Sequence, residues 1–283
     1  MKQNPISARV DYFRATTVDP WTIQHISEEF YRHETTEPTV PFYGYKAALR
    51  ELQTGAIALF NGHTAAMGFC SQFSGKPITA LMDATEQPSM VALGATHQGK
   101  WRIKRLDIAI DVFDPALSPA MFLQAKGAGF IKTAFRTWRE TKSLDEGGGH
   151  TVYGGGLESE KQIRIYDKAA EQKFDGSWTR YEMVFSNERA EDAWNMIAPC
   201  NTNHELLDVA RRILGTLIYE PMWAKWIDAM VVGGRVDWTE IPRQESDTWR
   251  WLVSQVLPAF QKAWNEDGDW SLLERFVERV KNG

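Results

Sequence analysis

The chain has 283 residues, of which 43 % are hydrophobic, and a net charge of −5 at pH 7. That length gives one large domain or two modest ones with an ordinary globular core, and the acidic balance argues against indiscriminate nucleic-acid binding. Two distant cysteines, Cys70 and Cys200, form neither a disulfide framework nor a cysteine zinc knuckle and suit a reducing cytoplasm. The first residues lack the apolar run of a signal peptide, and no stretch of about 18 apolar residues predicts a membrane span.

In chain order, "ARVDYFRAT" (8–16) predicts a strand. "DPWTIQHISEEFYRHE" predicts a helix with Asp19 as N-cap and Pro20 in its first turn. "YKAALREL" has helical spacing. "GAIALFNG" and "HTAAMGFCSQFSG" predict two strands joined tightly at Asn61-Gly62, and "SGKPITAL" a turn and a short element. "KWRIKRLDIAIDVFD" (100–114) is the clearest strand. "SPAMFLQAKGAGF" predicts a helix with Pro119 near its start and glycine at its end. "FIKTAFRTWRET" predicts another strand and "LDEGGGH" a loop. "TVYGGGLESEKQIRIYDKAAEQ" predicts strand, turn, strand and short helix, and "WTRYEMVFSNERAEDAWNMI" a strand followed by a helix.

After Pro199 the pattern changes to helical periodicity. It runs through "NHELLDVARRILGTLIY", "PMWAKWIDAMVVG", "SDTWRWLVSQVLPAFQKAW" and "DWSLLERFVERVK". The expected fold class is α+β: an antiparallel β-sheet catalytic core with packed helices, followed by a mainly helical C-terminal region. The divisions are an N-terminal α/β part (1–99), a catalytic sheet segment (100–199) and a helical region (200–283).

Strand alternation assigns faces. In "KRLDIAIDV", Leu106, Ile108, Ile110 and Val112 form an apolar face, and Arg105, Asp107, Ala109 and Asp111 the other. Exposed strand faces favour threonine, lysine and bulky residues. Two carboxylates around a small alanine instead leave room for a strand of nucleic acid or an ion. At about 3.3 Å per residue, positions four apart lie about 13 Å from each other. Without a bulge, only one of Asp107 and Asp111 can therefore touch a given ion. The simpler alternative is a surface pairing of these acids with Arg105 and nearby lysines.

In "QIRIYDK", Gln162, Arg164, Tyr166 and Lys168 share a face. In "WTRYEMVF", Arg180, Glu182 and Val184 do. If the three strands adjoin in one antiparallel sheet, their ionisable groups converge. The carboxylates would suit a hard divalent ion. A tyrosine activated by cations and an ion could attack phosphorus, leaving a phosphotyrosine and a free 3′-hydroxyl. The alternative for "QIRIYDK" is an ordinary edge strand with a solvated face. The six histidines form no H-x-H or H-E-x-x-H pair. The two glycine triplets lack a Walker lysine and suit turns.

Residues 100–183 form the only net-basic third of the chain. Within it, "KGAGFIKTAFRTWRETK" (126–142) is the candidate DNA surface, through Lys132, Arg136, Trp138 and Arg139. A charged, solvated strand edge is the alternative.

"RLDIAIDVFD", "TVYGGGLESEKQIRIYDKAAEQ" and "WTRYEMVF" together resemble the signature run of the replication initiation factor family. Its members are Rep_trans-type rolling-circle initiators of plasmids and phages and related relaxases of integrative conjugative elements. The resemblance covers about residues 100–190. It implies a DNA nickase and strand transferase that bonds to the 5′-phosphate through tyrosine, with Mg²⁺ or Mn²⁺ held by carboxylates. Carried over, Tyr166 is the nucleophile, Glu182 and one of Asp107 and Asp111 hold the metal, and Arg164, Lys168 and Arg180 hold phosphates, with Arg105 on the same DNA-facing side. The triplet Gly154–Gly156 replaces the family's glycine-serine-arginine turn, which makes Tyr153 a rival nucleophile. The implied partners are origin duplex and extruded single strand. The acidic C-terminal third would face a host helicase or a second subunit. A conjugative relaxase, a non-catalytic DNA-binding protein on the same sheet, and a metal-dependent phosphodiesterase using water are the competing readings.

Overall fold

The computed structural model describes residues 6–31, 33–75, 78, 101–143, 148–219, 221–232, 238 and 278. The chain divides into two compact units, Met1–Trp238 and Thr239–Gly283. The predicted elements in "SGKPITAL", "SDTWRWLVSQVLPAFQKAW" and most of "DWSLLERFVERVK" lie outside the described residues, as does part of "LDEGGGH".

The first unit is built on a ten-stranded sheet. In chain order its strands are β1 (Ile6–Thr17), β2 (Thr36–Pro38), β3 (Tyr45–Glu51), β4 (Ile57–Gly62), β5 (Phe69–Ser74), β6 (Arg102–Val112), β8 (Trp138–Lys142), β9 (His150–Gly154), β10 (Lys161–Asp167) and β11 (Thr179–Ser186). Their spatial order is β2-β3-β4-β5-β1-β6-β11-β10-β9-β8, and every neighbouring pair is antiparallel. A separate two-stranded ribbon pairs β7 (Lys132–Thr133) with β12 (Ile218–Tyr219). The six helices of the described residues are α1 (Pro20–Phe30), α2 (Pro119–Gly127), α3 (Lys168–Gln172), α4 (Glu188–Ile197), α5 (Asn203–Leu217) and α6 (Ala224–Met230). The architecture is the expected α+β class.

The helices start where the sequence predicts. The N-caps Asp19, Ser118 and Thr202 accept backbone N–H bonds from Thr22, Met121 and Glu205, satisfying donors that lack intrahelical partners. One sheet face is apolar. From β1 it takes Ala8, Val10, Phe13 and Ala15, and from β6 Ile103, Leu106, Ile108 and Ile110. Helix α5 adds Leu206, Val209, Ile213, Leu214 and Leu217 to the same core. Each large side chain buried this way contributes about 1.5–3 kcal/mol, so this packing holds the sheet flat against its helices and leaves the other face for polar groups.

Two elements differ from the sequence reading. "YKAALREL" is the strand β3, paired with β2 and β4. Its alanines favour a helix weakly, and hairpin pairing with β4 outweighs that preference. "FIKTAFRTWRET" is two short strands in different sheets, β7 and β8, so Lys132 and Arg139 do not share a surface ribbon.

Two bulges govern what the polar face displays. The β1–β6 register shifts between Val10 and Tyr12 and again between Arg14 and Ala15. Inward residues therefore jump by three, from Val10 to Phe13 and from Ile103 to Leu106. Consecutive residues, Asp11 with Tyr12 and Lys104 with Arg105, are thereby left for the other face, as bulges near functional sites often arrange.

The glycine triplet also has a structural task. Gly155 has φ +100, and a Cβ on Gly154 would lie 2.8 Å from both Ile163 Cγ2 and Trp138 Cη2. Gly154 thus lets β8, β9 and β10 close on one another. Gly154→Ala is expected to destabilise the fold by about 1–3 kcal/mol through overpacking, measured by urea denaturation. Unchanged stability would mean the strands have room to give.

Candidate active site

The three motif strands are neighbours, in the order β6-β11-β10. Paired residues in an antiparallel sheet share a face, so the register draws the site in rows. One row reads Arg9, Ala109, Glu182, Arg164, Tyr153, Arg139. The next reads Ser7, Asp111, Arg180, Tyr166, Thr151, Thr141. Asp107 lies across from Tyr12 on one side and Val184 on the other. The alternation read from sequence is therefore the alternation of the sheet, and its polar residues converge.

The two candidate aspartates have different company. Asp111 is locked to Arg180 by a fork, Nε donating to Oδ1 at 2.7 Å and Nη2 to Oδ2 at 2.8 Å, and Trp178 Nε1 donates to Oδ1 at 2.8 Å. The remaining Arg180 nitrogen, Nη1, donates to Asp11 Oδ1 at 2.7 Å. Arg180 is 2 % exposed, so its donors are directed into the fold rather than at a ligand.

Asp107 and Glu182 form a second, closer constellation. Asp107 is 1 % and Glu182 4 % exposed. Arg105 grips Asp107 through Nε at 2.9 Å and Nη2 at 2.6 Å. Arg164 Nη1 donates to Glu182 Oε1 at 3.1 Å. Burial, then the neighbouring Asp107 charge, pushes the Glu182 carboxyl up to about 7, and burial raises Asp107 as well. Two acids held out of water next to each other, each facing a half-exposed arginine, are an electrostatic liability. They also supply the hard oxygen donors a divalent cation takes, so the donor chemistry fits the implied metal. Among the described residues no cluster of three or more His, Cys, Asp or Glu is suited to a metal. Asp107 and Glu182 are the buried, neighbouring carboxylates that could hold such an ion.

Tyr166 is half-buried, beside Arg180 in register and diagonal to Glu182. With strands about 4.8 Å apart and a rise of about 3.3 Å per residue, the Tyr166 and Glu182 α-carbons lie about 8 Å apart. Burial raises the Tyr166 phenol well above its ordinary value and the Glu182 charge raises it further, while Arg180 acts in the opposite sense. The cations named from sequence are engaged elsewhere. Arg164 pairs with Glu182, and Lys168 pairs with Glu171 while its Nζ sits 5.6 Å from the Tyr166 ring centroid. Strand β10 ends at Asp167, which caps α3, so Lys168 opens that helix rather than continuing the strand.

Tyr153 lies one strand further out, with the Arg139 guanidinium 5.0 Å from its ring centroid. Arg139 faces the site side of β8, and Arg136 is exposed in the loop before it. Trp138 turns the other way. Its ring lies 5.3 Å from Phe122 and 5.8 Å from Phe135, and its Nε1 donates to the Phe135 carbonyl. Lys132 is exposed on the separate ribbon.

Sequence reasoning missed the contribution of β1. Asp11 completes the Arg180 network, and Tyr12 donates to Gln72 Oε1 at 2.6 Å while the Arg105 guanidinium lies 4.4 Å from its ring centroid. The signal was present: apolar residues at 8, 10, 13 and 15 break strict alternation, as a bulge requires.

The replication initiation factor family model matches residues 101–272, more than half of the chain. Among solved structures, the rolling circle replication initiator protein from Geobacillus stearothermophilus superposes with a TM-score of 0.62 at 20 % identity, over 75 % of this chain and 86 % of that one. No curated protein matches the chain.

Two outcomes follow from this geometry. Arg180→Met strands the buried Asp111 carboxylate and removes a partner of half-buried Asp11, and urea denaturation should show a loss of about 3–5 kcal/mol; a loss under about 1 kcal/mol would contradict the network. For Glu182, the folded chain keeps a proton between pH 4.5 and about 7 that the unfolded chain releases. The residue's contribution therefore falls as pH rises through that window. In EDTA, Glu182→Gln should gain stability relative to the parent chain as pH rises, by an amount on the order of a few kcal/mol at most. A pH-independent difference would contradict the burial of this charge.

Proposed function

This chain belongs to the replication initiation factor family, and on that premise we propose that it starts rolling-circle DNA replication by nicking and rejoining one DNA strand through a covalent 5′-phosphotyrosine. The observation that carries the reading is the polar sheet face itself, on which half-buried Tyr166 lies diagonal to buried Glu182, with buried Asp107 on the far side of Glu182.

Tyr166 is the nucleophile in this reading. Its oxygen bonds to the scissile phosphorus as the bond to the 3′-oxygen breaks. The departing oxygen takes up a proton in exchange for the one the phenol gives up, and one phosphodiester replaces another. Rejoining is the reverse attack by the 3′-hydroxyl. Asp107 and Glu182 would hold a divalent cation, Mg²⁺ or Mn²⁺, whose chemistry there is to polarise a phosphate oxygen and offset developing charge. The geometry favours Asp107 over Asp111 in this role, because Asp111 is spent on Arg180 and Trp178. Arg105 and Arg164 are the half-exposed guanidiniums at the pair. They anchor the acids and remain open enough to meet a phosphate.

The protein surroundings alone raise the Tyr166 phenol, through burial and then the Glu182 charge, so in this reading a bound cation is needed to favour the phenolate. Tyr166 is favoured over Tyr153 because it lies diagonal to Glu182 and in register with the buried Arg180, whereas Tyr153 lies one strand further out.

The test uses labelled single strands tiling the DNA around the chain's own gene, incubated with Mg²⁺ or Mn²⁺ and run on a denaturing gel. One strand should yield a protein-linked, slowly migrating product that Tyr166→Phe abolishes. Cleavage with no adduct would point to attack by water, and an adduct lost only in Tyr153→Phe would move the nucleophile.

A further inference from the structure

On the same sheet face, next to the acid pair along β6, lies a cleft of about 590 Å³. Arg14, Arg102, Lys104, Tyr43, Tyr45 and Met67 are among its lining residues, and among the described residues no acid lines it. The cations are crowded. Burial, then Arg102 and Arg14, lowers the Lys104 ammonium from its ordinary value. The nearest compensating acid, Glu191, spends its Oε1 on the Ile103 backbone N–H at 2.6 Å. A pocket whose described wall holds three cations and no acid favours an anion.

Two tyrosines, Tyr43 and Tyr45, share the wall with small and apolar residues such as Thr16, Val18 and Ala66. The Arg14 guanidinium lies 4.0 Å from the Tyr43 ring centroid, a layered surface of the kind on which nucleobases stack. Tyr43 is 55 % exposed and sits at φ +54. A bulky residue in the left-handed region is strained, and the fold gains little burial in return. Tyr45 is buried in the small cluster beneath, with Leu59 and Cys70, and its hydroxyl donates to the Met67 carbonyl at 2.9 Å. The floor is therefore fixed while Tyr43 stands open above it.

We propose that this cleft is a nucleotide subsite that captures single-stranded DNA beside the scissile phosphate, with Arg102 and Lys104 on backbone phosphate and the Tyr43–Arg14 stack against a base. Lys104 and Arg105 are consecutive outward residues at a bulge, and Arg105 grips Asp107. A strand seated in the cleft is thus led along β6 to the acid pair. The proposal rests on the DNA reading above but not on its chemistry.

The experiment measures fluorescence anisotropy of labelled oligothymidylates in EDTA, using full-length Tyr166→Phe protein so that no cleavage intervenes. Added to that background, Tyr43→Gly removes the ring and the left-handed strain together. It should keep the thermal midpoint at or above the parent's while weakening single-strand binding about tenfold, the scale of one lost base stack. Arg102→Gln with Lys104→Gln should weaken binding and flatten the salt dependence by about 1.4 in log–log slope, for two lost phosphate contacts. Affinity within about twofold of the parent in both variants would overturn the subsite. So would equal losses for single strand and duplex, which would mark a general basic surface. An adduct missing in the nicking assay, with these losses present, would sink the chemistry and leave the subsite standing.

Discussion

The register that pairs Ala109 with Glu182 and Glu182 with Arg164 is the constraint on which the site depends. A slip of one residue between these strands would turn every side chain to the opposite face. It would send the two acids into the helices and Ile108 or Met183 into solvent. The fully buried apolar partners Leu106, Ile108, Ile110, Tyr181, Met183 and Phe185 make such a slip prohibitive. The core thereby fixes the chemistry: what holds the sheet against its helices also decides which polar groups meet on the other side.

Those groups divide into a structural set and the set to which the proposed chemistry is assigned. Asp111 and Arg180 pair below the surface, and Trp178 and Asp11 complete their hydrogen bonds. Asp107 and Glu182 are equally buried yet raised in pKa, and their arginines are half-exposed. A fold seeking stability alone would gain little from such a pair. Perturbed, clustered carboxylates on an open face are a mark of function. Beside them the cleft of Arg14, Arg102 and Lys104 carries the opposite sign, so one face sets acids and cations side by side.

Much of this was legible in the sequence because strand alternation is a strong rule. The faces of 105–111, 162–166 and 180–184 followed from period two alone, and the helix starts at Asp19 and Ser118 from capping chemistry. What was not legible came from pairing at a distance. "YKAALREL" became a strand because β4 was there to pair with. "FIKTAFRTWRET" split because its halves found different partners. Trp138 turned from a candidate base-stacking ring into a core ring because the alternation of β8 starts at that residue. Asp11, Tyr12 and Lys104 reached the polar face through bulges, which appear in sequence only as a skipped beat in the apolar pattern. No local signal separates Asp107 from Asp111; their roles diverge through Arg180, 69 residues downstream of Asp111.

The central claim is that Tyr166 is the residue this face presents to phosphorus. The most direct measurement is peptide mapping by mass spectrometry of the protein after reaction with its cleavable strand and digestion of the DNA to a nucleotide stub. The account predicts the stub on the phenolic oxygen of Tyr166 within 162–168. A stub on Tyr153, or on any residue off the β6-β11-β10 face, would contradict it.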